Sequence, residues 1–379
     1  LRSDITFTNV RPILDVAALP DGTFVAGGWF EDYLGLNVIT KLNLTTLQVS
    51  HLTSLMPMGF NEPGFRTIAT LTDGSFVVGG SFAGIGPVAP NFINLVRFLP
   101  NGVLDTAFRP ANTNNISKII AQPGGKFLAL RAQDIAGPIG YITRYNADGT
   151  VDNTFSQISS SNNGFWGMAQ QTNGTIWYGA NGDGLRKANS DGTGATPVDT
   201  NVFAGKVFVA QDDRIYYAPS PVGGSLLRRR SADGSSNSFA VPFNNSVLSV
   251  VTLPDGKIVV GGNFTAVNGT NINYIAMLNE DGTLNTSFTS PFATTGGGSI
   301  NSILLLADGS ALLGTSGFNG VRRIQLYMPG LAVQFPPASQ TVNRGTNATF
   351  TVNATGSSPL SYQWRFNGGN IAGATNVTL

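Results

Sequence analysis

Cysteine is absent from the 379 residues, so the chain has no disulfide framework, no thiol nucleophile and no thiolate metal site. Histidine occurs once: His51, read as a surface residue of an outer strand, cannot supply a His-based metal site or, without unusual partners, an ordinary Ser-His-Asp triad. Charge is also scarce. With 22 Lys and Arg against 21 Asp and Glu, the net charge is +1, which argues against a general nucleic-acid binder with its basic face. No apolar run approaches the roughly 18 residues of a membrane-spanning helix, so no span is expected. The chain opens on Leu1 without a signal-like segment, as a mature or excerpted secreted chain would.

What is present is repetition. Apolar content of 41% excludes a disordered chain, and the low charge leaves a surface of Asn, Ser, Thr and Gly. In residues 247–288 an apolar run meets Pro254-Asp255-Gly256, a second run follows, and Gly261-Gly262 ends it. This reads as a hairpin, because the turn needs a positive φ that Gly tolerates and Asp accepts. Apolar residues at consecutive positions predict strands covered on both faces. The half from Tyr274 repeats the design around Asp281-Gly282, predicting four antiparallel strands that cannot bury their faces without further copies on either side.

Such copies run along the chain. Their first turns fall at Asp21-Gly22, Asp73-Gly74, Gly124-Gly125, Asn173-Gly174, Asp212-Asp213, Asp255-Gly256 and Asp308-Gly309, at intervals of 52, 51, 49, 39, 43 and 53 residues. Four-stranded blades take roughly 40 to 50 residues each, so the fold class is all-β, a seven-bladed β-propeller over residues 1–330. An outer-strand signature appears as Asp105-Thr-Ala-Phe108, Asp152-Asn-Thr-Phe155 and Asn285-Thr-Ser-Phe288, and again at the start of the chain as Asp4-Ile-Thr-Phe7. Residues 1–9 are therefore expected to complete the last blade and close the ring, with residues 331–335 as the competing strand. From 331 to 379 the rhythm changes; alternation at 348–352 and 360–366 predicts two strands of a sandwich too short to be complete.

The pattern Pro-Asp-Gly-Lys-Ile-Val-Val-Gly-Gly-Asn-Phe at 254–264, followed by Leu-Asn-Glu-Asp-Gly-Thr-Leu-Asn-Thr-Ser-Phe at 278–288, resembles the delta-60 β-propeller repeat of bacterial surface and secreted proteins. The tail is similar to bacterial immunoglobulin-like repeats through Pro337-Ala-Ser-Gln-Thr-Val342 and Ser361-Tyr-Gln-Trp-Arg365, which implies that Trp364 is the buried strand tryptophan of a partial immunoglobulin-like domain. These resemblances imply an extracellular or cell-surface location and bring no catalytic residues with them.

Signals of chemistry are few. Trp166, Trp177, Tyr216 and Tyr217, in the drifted units four and five, are the candidate binding residues at a propeller mouth, with packing between blades as the structural reading. Asp183, Asp191, Asp212 and Asp213 are the carboxylates that adjacent blades could bring together for glycoside hydrolysis or calcium, although Asp in such turns ordinarily accepts backbone hydrogen bonds. Arg228, Arg229 and Arg230 read as a solvated strand end or a binding contact. Double glycines such as Gly27-Gly28 precede no helix and read as close packing rather than a phosphate loop. The expectation is a non-enzymatic structural or adhesive bacterial module without cofactor or metal, contacting copies of itself, other surface proteins or glycans, and polymerising through the incomplete C-terminal domain. The alternative is a carbohydrate-binding or glycoside-cleaving propeller.

Overall fold

A computed structural model describes the chain apart from residues 1–11, 32–36, 47, 58–63, 86–92, 111–114, 132–139, 161–163, 181–182, 201–203, 220–224, 293–296, 319, 328–331, 336, 338 and 356–360. The described residues form a seven-bladed β-propeller with almost no helix: a single 3-10 turn, Pro123–Gly125, stands among antiparallel strands. The innermost strands of blades one to seven are Ile13–Ala18, Phe65–Thr70, Ile116–Ala121, Phe165–Gln170, Ala204–Val209, Val247–Thr252 and Ser299–Leu305. The chain divides into two compact units, Leu1–Leu304 with Leu312–Arg322, and Leu305–Ala311 with Arg323–Leu379.

Turn chemistry sets the hairpins. Gly22, Gly74, Gly124, Gly174, Gly256 and Gly309 all have positive φ in the first turns, and in blade five Asp213 takes that conformation at φ 62°. The preceding acid fixes each turn: Asp21 accepts from the Thr23 amide at 3.0 Å, Asp73 from Ser75 at 2.9 Å and Asp308 from Ser310 at 3.0 Å. The hairpin expected within 247–262 forms, with Val250 opposite Val260. Second strands are buried throughout in Phe76–Gly80, Ile176–Ala180 and Ile258–Gly262. Their side chains join neighbouring sheets. Tyr216, Leu227 and Phe243 of blade five pack with Val250, Ile258 and Phe264 of blade six, and Leu128 and Ile142 of blade three with Met168 and Ile176 of blade four. Each such fully buried side chain contributes about 1.5–3 kcal/mol.

Double glycines let strands approach closely. A Cβ at Gly79 would lie 2.6 Å from the Ile116 side chain of the next blade, and one at Gly80 would lie 1.8 Å from the Gly64 carbonyl oxygen. Gly261 and Gly262 stand in the same relation to Ile300 and to the Ser246 carbonyl oxygen.

The fourth strand departs from expectation. Blades one, three, four and five have it, as in Thr196–Asp199 and Ser236–Phe243, but the described sheets of blades two, six and seven have three strands. In blades two and six the signature shrinks to one bridge, Phe98–Leu104 or Leu278–Leu284, followed by a turn. Asp105 accepts the Ala107 amide at 2.9 Å and Asn285 the Ser287 amide at 3.1 Å, bonds that bend the chain instead of extending a ladder. Blade three has the same Tyr145–Val151 bridge and Asp152–Thr154 bond, and regains an outer strand beyond them at Ile158–Ser159. Segments of blades two and six instead extend the sheets of the preceding blades. Phe82–Ile85 pairs with the outer strand of blade one, and Ala266–Val267 with that of blade five.

The strand expected at residues 1–9 lies outside the described residues. Ring closure is visible elsewhere: Asn301 in blade seven donates to the Ile13 carbonyl in blade one at 2.7 Å and to Ser316 Oγ at 2.8 Å.

In the C-terminal unit, Ala332–Phe335 pairs with Asn353–Thr355 and Arg365–Phe366 with Gly369–Asn370, while Phe350 and Val352 form backbone hydrogen bonds with Leu379 and Val377 around a Thr351–Thr378 bridge. These short pairings do not by themselves show the expected immunoglobulin-like sandwich, and Ala332–Phe335 pairs within this unit rather than with a described blade strand. Trp364 is half-buried rather than enclosed; its indole donates to the Asn376 carbonyl at 2.9 Å and its ring lies 6.4 Å from Phe350. Phe366, Val342 and Val377 stay exposed.

Candidate functional site

The inner strands surround a cavity of about 260 Å³ lined from all seven blades, with Asp15, Arg66, Lys118, Trp166, Lys206, Ser249 and Ser302 among its walls. One residue per blade occupies the same place, six positions before the first-turn residue: Asp15, Thr67, Lys118, Gly167, Lys206, Ser249 and Ser302. In three blades this residue accepts the backbone N–H of the next inner strand. Asp15 Oδ2 takes the Ile68 amide at 3.1 Å, Thr67 Oγ1 the Ile119 amide at 3.3 Å and Ser249 Oγ the Ile303 amide at 3.1 Å. These acceptors stitch blade one to two, two to three and six to seven, whereas Ser302 Oγ in blade seven accepts nothing among the described residues. Gly167 serves differently: a Cβ there would meet the Val207 backbone nitrogen at 2.9 Å.

Lys118 and Lys206 break the series, since an ammonium has no lone pair to offer. Both side chains are open to the channel, and among the described residues neither has an ion-pair partner within 4.0 Å. The surrounding protein strips water from Lys206 and pushes its pKa below the ordinary lysine value; Lys118 and Arg66 push the same way, and Asp15 opposes them. Asp15 is the one carboxylate in the lining, and it is already held by the Ile68 amide, its own neighbour Val16 at 3.1 Å and Thr67 Oγ1 at 3.4 Å. The cavity therefore sets three cations against one committed anion.

Of the four aromatic candidates, Trp166 reaches the channel, 50% exposed, and it also lines an adjoining pocket of about 190 Å³ with Lys206, Ala218, Val247 and Leu248. Trp177, Tyr216 and Tyr217 are buried inside the blades. Trp177 donates to Gln171 Oε1 at 2.8 Å under the Lys187 ammonium, Tyr217 donates to Asp199 Oδ2 at 2.8 Å, and Tyr216 stacks edge-on against Phe239.

The outer carboxylates are occupied separately. Asp191 holds Thr193, Asp212 pairs with Arg214, and Asp213 accepts the Thr172 amide at 2.8 Å. Among the described residues no three His, Cys, Asp or Glu gather as a metal site. The basic run is no free strand end either: Arg228 and Arg230 lie 3.7 and 3.5 Å from Asp199, and Arg229 donates to the Glu280 carbonyl of the next blade at 2.6 Å. His51 sits exposed on Gln48–Pro57.

Arg229 belongs to a second repeated device that sequence reasoning passed over. Arg144 pairs with Asp152 at 2.7 Å, lies 5.0 Å over the Phe155 ring and donates to Ser190 of blade four at 3.0 Å. Arg97 does the same with Asp105, Phe108 and the Ala147 carbonyl of blade three. The Asp-x-x-Phe signature is a cradle for an arginine that fastens one blade to the next. Where blade six has Asn285 in place of the acid, the arginine position holds Met277.

Comparison with known proteins fits this architecture. A family model described as a β-propeller domain of unknown function, DUF5122, matches residues 71–108, 140–155 and 253–288, on units two, three and six. Among solved structures, the WD40 β-propeller domain of Doa1 is similar at 14% identity, with a TM-score of 0.52 and coverage of 84% of this chain and 94% of that one. The extracellular domain of the putative hybrid two-component system BT3049 from B. thetaiotaomicron is 12% identical, TM-score 0.55, over 97% of this chain and 47% of that one. YCF48 bound to D1 peptide is 10% identical, TM-score 0.56, over 85% and 95%. At these identities the shared feature is the fold. The chain spans less than half of the Bacteroides domain, and no curated protein matches it. No helix among the described residues is long and apolar enough to cross a membrane.

Proposed function

We propose that the chain is a non-catalytic recognition and structural module, displayed outside a bacterial cell, that holds partner molecules on a rigid ring. The observation that carries this reading is the commitment of its charged groups. Turn carboxylates hold their own backbone, as Asp148 and Asp281 do with the Thr150 and Thr283 amides at 2.9 Å, and arginines fasten successive blades. What remains outward is the uncharged polar surface of an attachment module. Acid-base cleavage between two carboxylates finds a single, committed acid in the channel. Extracellular display is supported by the fold shared with an extracellular bacterial domain, and contact with peptides or proteins by the fold shared with YCF48 bound to D1 peptide.

Labelling intact cells of the source bacterium with a membrane-impermeant amine reagent tests the display. The chain is expected to be modified before lysis. Protection until lysis ends the extracellular reading, and turnover of chromogenic glycosides by the purified chain ends the non-catalytic one.

A further inference from the structure

The central channel carries an assignment of its own. We propose that it binds a ring-bearing organic carboxylate, the carboxylate taken by Lys118 and Lys206 and the ring face laid on Trp166.

Architecture does not account for the two lysines. The residue at their place is an acceptor for the next blade's N–H in blades one, two and six. In blades three and five the acceptor is exchanged for a cation that cannot perform that task, and the exchange places both ammonium groups in one cavity. Like charges repel in such a space; the Lys206 pKa is lowered first by loss of water and then by the charge of Lys118. An anion that neutralises the pair removes the repulsion, and it does so where protein walls on every side strengthen the attraction over that in open water. Asp15 does not fill this role, being held by the Ile68 and Val16 amides.

Trp166 supplies the second half. A half-exposed indole at the junction of the channel and a pocket walled by Ala218, Val247 and Leu248 offers a flat apolar platform beside Lys206. Cation and platform together select an anion with a ring over a bare oxyanion. The cavity of about 260 Å³ suits a small molecule of one or two rings. The assignment does not depend on where the chain is displayed, so cell-surface labelling and the test below fail independently.

The test is calorimetric titration of the full 379-residue chain at neutral pH and low salt with four probes. D-glucuronate and benzoate are the two sources of a ring carboxylate, D-glucose is the neutral ring, and inorganic phosphate is charge without a ring. At least one carboxylate is expected to bind one to one, and which of the two binds tells an acidic sugar from an aromatic acid. Removing one charge-assisted contact, as K118M or K206M, should weaken binding about tenfold, and W166A should weaken it about tenfold as well. K206R should retain binding, and an unchanged melting temperature certifies that each variant is folded. Silence with both carboxylates, or affinity unchanged in the K118M/K206M double variant, overturns the site. Phosphate binding as tightly as the carboxylates overturns the ring contact, and glucose binding as tightly overturns the charge contact.

Discussion

The outer edge of the propeller and its inner ring treat repetition in opposite ways. At the edge the same chemistry returns in blade after blade: Arg97 with Asp105 and Phe108, Arg144 with Asp152 and Phe155, Arg229 over Phe239. Where blade six has Asn285 for the acid, Met277 stands at the arginine position, whereas blade five keeps Arg229 over Phe239 with Asn237 at the acid's place. On the inner ring one place holds Asp, Thr, Lys, Gly, Lys, Ser and Ser in turn. A position that repeats with its partners is holding the fold together. A position that varies while its neighbours repeat has been released for another use, and the channel lysines are that case.

The largest effect should come from the close approach that both regions depend on. Gly80→Val drives a side chain into the Gly64 carbonyl, where even a Cβ would sit at 1.8 Å. Denaturant unfolding should show a loss of about 3 kcal/mol or more; a loss under about 1 kcal/mol would contradict the packing.

Next comes the edge device. Arg144→Met strips Asp152, a buried carboxylate, of its Nε contact at 2.7 Å and leaves Lys126 at 2.7 Å as its remaining cation. A loss of about 2–3 kcal/mol is expected. Adding Asp152→Asn imitates blade six and should recover more than half of it; a strictly additive double variant would show that the pair does not act as a set.

The smallest effect belongs to the exposed turns. Lys41 and Thr23 hold the Asp21 carboxyl at a pKa of about 2, down from 3.8. A lowered carboxylate pKa means that the unfolded chain takes up the proton first as the medium becomes acidic. The stability this contact adds is therefore whole above 3.8 and disappears as the pH falls towards about 2. Lys41→Met should flatten that limb of a melting-temperature profile; an unaltered profile between pH 2 and 4 would rule the contact out as a contributor.

Much of the architecture was readable because turns and double glycines obey local chemistry. Asp255-Gly256 announces its own φ, and Gly261-Gly262 announces a strand too closely approached for a Cβ. The signature itself forms no strand in blades two, three and six, because Asp105, Asp152 and Asn285 look like strand residues until their side chains capture a backbone amide. In the C-terminal unit the two alternating stretches do pair, Phe350 with Leu379 and Arg365 with Asn370, but alternation reports a face without reporting what covers it. Of the channel, Trp166 was visible as an aromatic in a drifted unit, but Trp177, Tyr216 and Tyr217 look alike in sequence and point into the blades. Lys118 and Lys206 were silent, each a single cation on its own strand, 88 residues apart. Stacking the units on their first turns shows them at one place, a signal present in the repeat and overlooked.

The bond from Asn301 to the Ile13 carbonyl joins residues 288 apart in sequence. Contacts at the other junctions, such as Arg144 to Ser190 or Ile303 to Ser249, span about one repeat, so six of the seven junctions can form as soon as two successive units are made. The last must wait for the whole chain and must confine it in a loop whose entropy costs about 5 kcal/mol. Assembly of the ring is consequently a local process with one late, slow event, and until that event the faces of the first and last blades stand open to any other unclosed copy.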